Sequence, residues 1–205
     1  MRSLIRVVTA SESAARDAAA IAAGVPSRAL MQRAGAAAAA EIALRHRDRL
    51  TGGALVLAGP GNNGGDAWVV ARALHAAGTR VRVVEPIEAK TPDARAERSM
   101  ALDAGVAWSS DFAGLDGGEP IVIDGLLGTG AGGAPRGSIA DAISATASLR
   151  ARGAVIVALD VPSGVDATSG ATPGAAVIAS LTLTFGALKR GLLVNRGVCG
   201  EIVLL

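Results

Sequence analysis

The sequence has little of the chemistry on which many binding and catalytic sites depend. Among its 205 residues there is no tyrosine, aromatic residues make up 2%, and the chain contains one cysteine and two histidines. So few aromatic side chains nearly exclude a base-stacking surface for nucleic acid. The single cysteine, Cys199, cannot form an internal disulfide, which fits a reducing compartment and favours a cytoplasmic location.

Long uncharged apolar runs are also missing. Hydrophobic residues make up 50% of the chain, but alanine supplies much of that fraction, and the alanine-rich stretch 36–40 is flanked by Arg33 and Glu41. No stretch approaches the roughly 18 apolar residues of a membrane-spanning helix. The first six residues lack the apolar segment of a secretory signal. With a net charge of +2, we expect neither a membrane nor a nucleic acid as a partner.

The remaining pattern predicts one domain, covering residues 1–205, with an α/β fold. Two helices are predicted first, at 9–24 and 27–46, and apolar runs then alternate with helical patterns. Such alternation is typical of a mostly parallel sheet with helices on both faces. Strands are predicted at 54–58, 80–85, 120–124, 154–160, 179–185 and 201–205, and the later helices at 65–78, 92–105 and 138–150.

The most informative motif is the segment 58–66, Ala-Gly-Pro-Gly-Asn-Asn-Gly-Gly-Asp, between a predicted strand and a predicted helix. Its four glycines permit a sharp turn and a close approach of the backbone to a ligand. The helix N-terminus behind them offers free N–H groups to an anion. Asn62 and Asn63 are two of only three asparagines in the chain, which favours a specific use of their amide groups. The alternative is a simple turn in which asparagine tolerates a left-handed backbone.

Two further predicted strands end in an aspartate that precedes a polar or glycine-rich loop. Asp124 is followed by the loop 125–130, and Asp160 by the loop 161–166. Because ligands bind beyond the carboxyl ends of strands in open α/β sheets, we expect all three loops to meet at one crevice. The predicted crevice residues are Asn62, Asn63, Asp66, Asp124, Thr129, Asp160 and Ser163.

The side chains in these loops also limit the chemistry of the crevice. None of the loops contains histidine or cysteine, which argues against a zinc or redox-metal site and against a Cys–His or Ser–His nucleophile. The oxygen-rich set of asparagine, aspartate and serine is instead suited to a hard cation.

In this order the loops resemble those of the NAD(P)H-hydrate epimerase family, which has the YjeF N-terminal domain. The matching segments are 30–35 (LMQRAG), 59–66 (GPGNNGGD), 124–130 (DGLLGTG), 160–164 (DVPSG) and 184–191 (TFGALKRG). The resemblance implies a three-layer αβα, Rossmann-like sandwich and a homodimer. It also implies an isomerase that interconverts the R and S epimers of hydrated NADH and NADPH, so that an ADP- or ATP-dependent dehydratase can restore these nucleotides.

The resemblance further implies roles for individual residues. Asn63, Asp124 and Ser163 would hold a potassium ion (K⁺). The reaction needs a group that moves a proton, for which we expect Asp160, and whether Lys189 shares this task stays open. The substrate would be bound by Asn62, Asn63, Gly64, Gly65, Asp66, Gly128, Thr129, Gly130, Ala131, Gly132, Gly133, Ala134 and Asp160.

Two other interpretations of the chain stay open. One is a non-catalytic, nucleotide- or RNA-associated binding module on the same fold, which would be expected to lose the polar loop residues that are present here. The other is the epimerase half of a bifunctional epimerase/dehydratase, with the second domain following Leu205. The alanine-rich surface 34–40 is predicted to serve either internal packing or a subunit interface.

Overall fold

The computed structural model describes residues 5–111 and 118–205. Within these ranges there are nine strands: β1 (Val7–Val8), β2 (Ala54–Ala58), β3 (Val81–Val84), β4 (Ala107–Ser109), β5 (Ile121–Gly125), β6 (Val155–Leu159), β7 (Leu181–Thr184), β8 (Leu188–Lys189) and β9 (Glu201–Leu204). Seven of these described strands form a parallel sheet in the order β4-β3-β2-β5-β6-β7-β9. The other two, β1 and β8, form a separate parallel pair.

Helices cover both faces of the large sheet. The helices in the described ranges are α1 (Ala10–Ala22), α2 (Ser27–Leu50), α3 (Asn62–Ala76), α4 (Pro92–Asp103), α5 (Gly137–Ala151), α6 (Arg190–Val194) and α7 (Arg196–Cys199). Residues of α2, α3 and α4 pack on one face of the sheet, and residues of α5 pack on the other. The predicted three-layer αβα class with a mostly parallel sheet is therefore confirmed.

The central strands are buried on both faces, as their continuous apolar sequences predicted. In β2, Val56 belongs to the core beneath α2 and α3, whereas Leu55 and Leu57 belong to the core beneath α5. Every residue of β2 and of β5 is buried. This sandwich fixes the register of the strands, because a shift of one residue would turn each side chain toward the opposite layer.

The order of the strands reverses between β2 and β5, which pair with each other. From β2 the chain builds outward through β3 and β4, and from β5 it builds in the opposite direction through β6 and β7. A reversal of this kind leaves a crevice beyond the carboxyl ends of the two central strands, where open α/β sheets bind ligands. Leu57 of β2 lies opposite Asp124 of β5, so the first two predicted loops leave the sheet side by side.

The pair formed by β1 and β8 brings the N-terminal part of the chain to the same region. Val8 lies opposite Lys189 in this pair, and α1 begins two residues later. A capping box between Thr9 and Glu12 stabilises the start of α1. The Ala10 N–H also donates to the Thr168 hydroxyl at 2.9 Å, which attaches the helix to the loop after β6.

Several short elements were not predicted from the sequence. These are β1, β4 and β8, with two or three residues each, and the short helices α6 and α7. Segments of this length do not contain a full hydrophobic period, so their structure depends on long-range pairing. In α2, His46 has non-helical backbone angles, which coincides with the predicted end of that helix at 46, although the element continues to Leu50. Within the described residues, no helix is both long and apolar enough to cross a membrane.

Candidate active site

The glycine-rich segment leads directly into helix α3, which begins three residues earlier than predicted. Gly61 is the N-cap and Asn62 the first helical residue, so the two asparagines lie in the first turn of the helix rather than in a preceding loop. The low helix propensity of glycine explains why the sequence pattern placed the start at residue 65.

Two of the glycines in this segment are required by close backbone contacts. A Cβ atom on Gly59 would lie 1.7 Å from the carbonyl oxygen of Leu126, and one on Gly64 would lie 1.8 Å from the carbonyl oxygen of Gly59. Both distances are far inside van der Waals contact. The absence of side chains therefore lets the loop after β2 pack against the loop after β5, and this packing sets the floor of the crevice.

Asn63, Asp124 and Ser163, the three residues predicted to hold a cation, lie together on this floor. Ser163 donates to the buried Asp124 carboxylate twice, from its hydroxyl at 2.6 Å and from its N–H at 2.8 Å. The Leu126 N–H donates to the same carboxylate at 3.2 Å. Burial raises the pKa of Asp124 to about 6, although the hydrogen bonds from Ser163 and Leu126 oppose the rise.

The arrangement of Asn63 supports a bound cation in this position. Its side-chain amide donates to the carbonyl oxygens of Leu127 at 2.8 Å and Leu159 at 3.2 Å. The amide oxygen, Oδ1, is left buried without a hydrogen-bond partner among the described residues. A buried carbonyl-type oxygen without a partner is unfavourable unless a donor or an ion is supplied.

The ligand types at this position suit a monovalent ion. No group of three or more histidine, cysteine, aspartate or glutamate side chains that could hold a metal occurs in the described part of the chain. The possible ligands are the neutral oxygens of Asn63 and Ser163 and the single carboxylate of Asp124. This set fits a monovalent cation that binds oxygen ligands, such as K⁺, better than a tightly bound divalent ion.

Asp160 lies at the end of β6 in an unusual backbone conformation. Its φ is 63°, and it is the only non-glycine residue with a positive φ among the described residues. Its carboxylate Oδ1 accepts from the Lys189 ammonium at 2.5 Å and from the Phe185 N–H at 3.3 Å. Lys189 is buried and the Asp160 side chain is 14% exposed, so the ammonium lies inside the protein and the carboxylate is partly accessible to solvent.

Asp66 and Asp17 lie within electrostatic range of this ion pair. Asp66, half-buried on α3, has a pKa raised well above the usual range by burial, and the charges of Asp160 and Asp17 raise it further while Lys189 lowers it. Burial also raises the pKa of Asp17 on α1, with Lys189 lowering it and Asp160 raising it. The sequence predicted Asp66 but gave no indication of Asp17, which lies in a separate helix without a motif.

The loop after β5 forms the outer part of the crevice. Gly128, Ala131 and Gly133 line a cavity of about 260 Å³ together with Pro162, Asp166 and other residues of the loop after β6. Residues 130–134 are exposed, and a Cβ atom placed on Gly130, Gly132 or Gly133 would have no atom of residues 5–111 or 118–205 within 4 Å. Of the predicted substrate set, Gly128, Ala131 and Gly133 line this cavity. Asn62, Asn63, Gly64, Gly65 and Asp66 lie at the start of α3, Asp160 directly follows β6, and Thr129, Gly130, Gly132 and Ala134 belong to the loop after β5.

The chain is similar to known proteins over most of its length. Residues 27–191 match the family described as YjeF-related protein N-terminus. The chain is 44% identical over 168 residues to an NAD(P)H-hydrate epimerase of Achromobacter xylosoxidans, a match that covers 80% of this chain and 77% of the relative. It is 42% identical over 182 residues to a bifunctional NAD(P)H-hydrate repair enzyme, Nnr, of Thermanaerovibrio acidaminovorans, which covers 85% of this chain and 35% of the relative.

The relatives differ in length, and the fold extends beyond close sequence similarity. Against three bifunctional Nnr proteins, from T. acidaminovorans, Hyperthermus butylicus and Escherichia coli, the chain spans 35%, 38% and 29% of the relative's length. The crystal structure of a yeast protein, ynu0, superposes with a TM-score of 0.83 at 21% identity, covering 98% of this chain and 87% of the yeast chain. That superposition shows a common fold.

Proposed function

The chain belongs to the family of YjeF-related protein N-termini, and from that membership we propose that it is an NAD(P)H-hydrate epimerase. Such an isomerase interconverts the R and S epimers of hydrated NADH and NADPH. The observation that carries the proposal is the ion pair of Asp160 with Lys189, because Asp160 follows β6 at the same edge of the sheet at which Asp124 accepts hydrogen bonds from Ser163. Relatives named as epimerases, at 37% and 44% identity, support it.

The reaction requires a proton transfer and the stabilisation of a positively charged iminium intermediate. The substrate carries a hydroxyl group on a carbon next to the ring nitrogen. When that hydroxyl is protonated, the C–O bond breaks, water leaves, and the nitrogen lone pair forms an iminium ion. Water then adds to either face and loses a proton, so that no atom is gained or lost overall. We assign the proton transfer in this exchange to Asp160, and nearby carboxylates would stabilise the positive charge of the iminium ion.

We also propose that Asn63, Asp124 and Ser163 hold K⁺ on the crevice floor. When bound, the ion would offset the negative charge of Asp124 and satisfy the buried amide oxygen of Asn63. These three residues come from α3, β5 and the loop after β6, so the site would fix the three loops relative to one another. Replacing Asp124 with alanine should remove any thermal stabilisation by potassium. Equal stability of the parent protein in potassium and in a bulky organic cation, at matched ionic strength, would contradict the site.

We propose that residues 1–205 form one domain, that the protein acts as a homodimer in the cytoplasm, and that an ADP- or ATP-dependent dehydratase consumes its product. The names of the bifunctional relatives, which join hydrate repair activities in one protein, support the functional link. The lengths of these relatives also favour a second candidate, in which this chain is the epimerase part of such a bifunctional enzyme.

A coupled assay tests the proposed activity directly. The R epimer of hydrated NADH is incubated with an S-specific dehydratase and its nucleotide, with and without this protein, and NADH is followed by its absorbance. We expect the protein to accelerate NADH recovery above the spontaneous epimerisation rate. Recovery at the spontaneous rate, with a folded protein and an active dehydratase, would refute the proposal.

A further inference from the structure

We propose that Asp166, in the loop after β6, binds the two neighbouring hydroxyl groups of the ribose that is attached to the hydrated ring of the substrate, called the ring ribose below. This role rests on the proposed epimerase function and adds a binding residue to it. Asp166 is not one of the residues that the family resemblance implies to bind substrate. The ring ribose is the same in hydrated NADH and in hydrated NADPH.

Among the described residues, Asp166 is the only charged residue that lines the cavity at the crevice. The other lining residues are leucine, valine, alanine, proline and glycine, apart from Ser169. Ligand pockets are typically apolar in this way, with a few polar groups that fix the orientation of the ligand. A hydroxyl group of a bound ligand would thus find its side-chain partner in Asp166 or Ser169.

Hydrogen bonds within the turn 166–169 use one carboxylate oxygen of Asp166 and leave the other. Oδ1 accepts from the Ser169 N–H at 2.6 Å, from the Ser169 hydroxyl at 2.8 Å and from the Thr168 N–H at 3.0 Å. The hydrogen bonds from Ser169 hold the pKa of Asp166 below its usual range, so the group is a charged acceptor near neutral pH. Oδ2 accepts no hydrogen bond from residues 5–111 or 118–205. This second oxygen is therefore available to a ligand.

The backbone of Asp166 is also held in place. Its N–H donates to the Ala171 carbonyl at 2.8 Å, and its own carbonyl accepts from the Gly170 N–H at 2.8 Å. The two neighbours in the chain, Val165 and Ala167, are buried in a small core that includes residues of α6 and α7. A carboxylate fixed in this way loses little conformational freedom when a ligand binds, which favours affinity.

The same turn adjoins both partners of the ion pair between Asp160 and Lys189. Pro162, two residues after Asp160, lines the cavity. On the other side, the Ala167 carbonyl accepts from the N–H of Gly191, two residues after Lys189, at 2.8 Å. A substrate ring that reacts beside Asp160 would place its own ribose, the group bonded directly to the ring nitrogen, in the adjoining cavity.

The carboxylate that recognises ribose in many dinucleotide-binding folds is already used within this protein. In those folds the acidic residue lies about 20 residues beyond the glycine-rich turn, after the next strand, and accepts from the ribose. Glu85 follows β3 at this position, but it is buried and accepts from the Arg98 side chain at 2.7 Å and from the Ala89 N–H at 3.1 Å. Ribose recognition is thus left to another acceptor, and Asp166 supplies a fixed one.

Asparagine at position 166 separates the ligand contact from the turn. Its amide oxygen can take over the three hydrogen bonds of Oδ1, whereas the amide nitrogen that replaces Oδ2 cannot accept from a hydroxyl. Alanine removes both functions. In urea unfolding we expect the midpoint of Asp166→Asn to stay near that of the parent and the midpoint of Asp166→Ala to be lower. Equally low midpoints would show that Oδ2 is needed by the turn itself and would overturn the assignment.

Calorimetric titration with NADH measures the contact without relying on activity, because NADH has the same ring ribose and does not epimerise. The Kd for NADH should rise about tenfold or more in Asp166→Asn, the usual loss for a hydrogen bond to a charged group. An NADH analogue without the 2′-hydroxyl of the ring ribose should bind the parent and Asp166→Asn equally. Asp141→Asn, which removes an exposed charge on α5, is the control and should leave both affinities unchanged.

The coupled assay shows which ribose is bound. NADH and NADPH differ only at the adenosine ribose, so Asp166→Asn should raise KM for both hydrates by a similar factor, with kcat nearly unchanged. A rise for hydrated NADH alone would place the contact at the adenosine ribose and overturn the assignment, as would equal affinity of the parent for NADH and its analogue. If the parent does not accelerate epimerisation, the proposed function fails, and the calorimetric comparison still decides the role of Asp166.

Discussion

Asp160 holds its carboxylate in place at the expense of a strained backbone. A left-handed conformation costs a non-glycine residue roughly 1–2 kcal/mol, less for aspartate and asparagine. Here the conformation is held by the Asp160 N–H, which donates to the Leu183 carbonyl at 2.7 Å, and by the bonds from Phe185 and Lys189 to the side chain. Strain of this kind persists where the surroundings fix it, and it is often found at functional sites. The backbone at this point turns the carboxylate toward Lys189 rather than toward solvent.

Replacing Asp160 with asparagine should separate proton transfer from substrate binding. Asparagine keeps the shape and tolerates the left-handed backbone, so the fold and most of the substrate affinity should be retained. The stability should decrease, because the buried Lys189 ammonium loses its counter-charge. The rate of epimerisation above the spontaneous background should fall by about 10²-fold or more, the usual loss for a general acid or base. The same change at Asp103, an exposed residue of α4, is the control and should leave the rate unaltered. A loss confined to KM with kcat nearly intact would mean that Asp160 only binds the substrate.

Asp124 should make the stability of the protein depend on pH in the absence of potassium. Its pKa is about 6 in the folded protein and close to the ordinary 3.8 in the unfolded chain, so the folded state retains the proton more strongly. The stabilisation by this group is complete below about pH 3.8, is lost as pH rises through 6, and amounts to about 3 kcal/mol across that interval.

Urea unfolding in buffers with a bulky organic cation measures this effect. The difference in unfolding free energy between the parent and Asp124→Asn should change by a few kcal/mol between pH 4 and pH 7, with the parent losing stability relative to the variant as pH rises. Groups other than Asp124 titrate in both proteins, and their contributions cancel in the difference. A difference that stays constant over this range would show that burial does not perturb Asp124 as described.

At the scale of elements, the turn from β2 into α3 depends on which glycines are in contact with backbone. Gly64 lies against the carbonyl of Gly59, whereas a Cβ atom on Gly61 would have no atom within 4 Å in the part of the chain that the structure describes. Gly64→Ala should therefore destabilise the protein by about 1–3 kcal/mol or more, because the added methyl group must displace backbone. Gly61, whose φ is −95°, should accept alanine with a change within about 0.5 kcal/mol.

Chemical denaturation of the two variants checks this prediction. The midpoint for Gly64→Ala should fall clearly below that of the parent, and the midpoint for Gly61→Ala should stay near it. Substrate affinity should also decrease in Gly64→Ala, since the packing of this turn against the loop after β5 forms the crevice floor. Similar stabilities for the two variants would mean that the turn moves freely to accept the methyl group.

The sequence was sufficient to predict the helices and strands that are long enough to show a complete hydrophobic period. It also predicted where the central strands end. The bounds of β2 were predicted correctly, and those of β5 and β6 within one residue. Asp124 and Asp160 could be placed at the crevice because parallel strands end on the same edge of a sheet. Lys189 and Asp17 could not be placed in this way. Their positions depend on the pairing of β1 with β8, two strands of two residues each, and no local pattern specifies a contact between opposite ends of the chain.

For the molecule as a whole, the surface of α2 divides into two parts that the sequence could not separate. Gly35, Ala38 and Ala39 are buried, and a Cβ on Gly35 would lie 2.6 Å from the Val69 Cβ of α3, so this part of the alanine-rich stretch serves internal packing. Ala36, Ala37 and Ala40 are exposed, and Leu44, one turn beyond Ala40, is 79% exposed. An exposed apolar stripe on a long helix is a candidate subunit interface.

The predicted homodimer can be tested on that exposed stripe. Sedimentation equilibrium at micromolar concentration should give twice the mass of one chain. A double change, Ala40→Arg with Leu44→Asp, should shift the protein toward the monomer, because it places charges in a desolvated interface. Ala147→Arg, at an exposed position of α5, is the control and should not change the mass. A monomeric parent protein would refute the prediction.

The pairing of β1 with β8 has a consequence for biosynthesis. Strands β2 to β5 can pair while the second half of the chain is still being made, since domains begin to form from their N-terminal side during synthesis. The N-terminal strand, although made first, has no partner until Leu188 and Lys189 have left the ribosome. Contacts between such distant residues form late because closing a long loop is entropically unfavourable. The nascent chain should therefore form its sheet before the ion pair between Asp160 and Lys189. A product truncated before Leu188 would keep much of the sheet but would lack this ion pair.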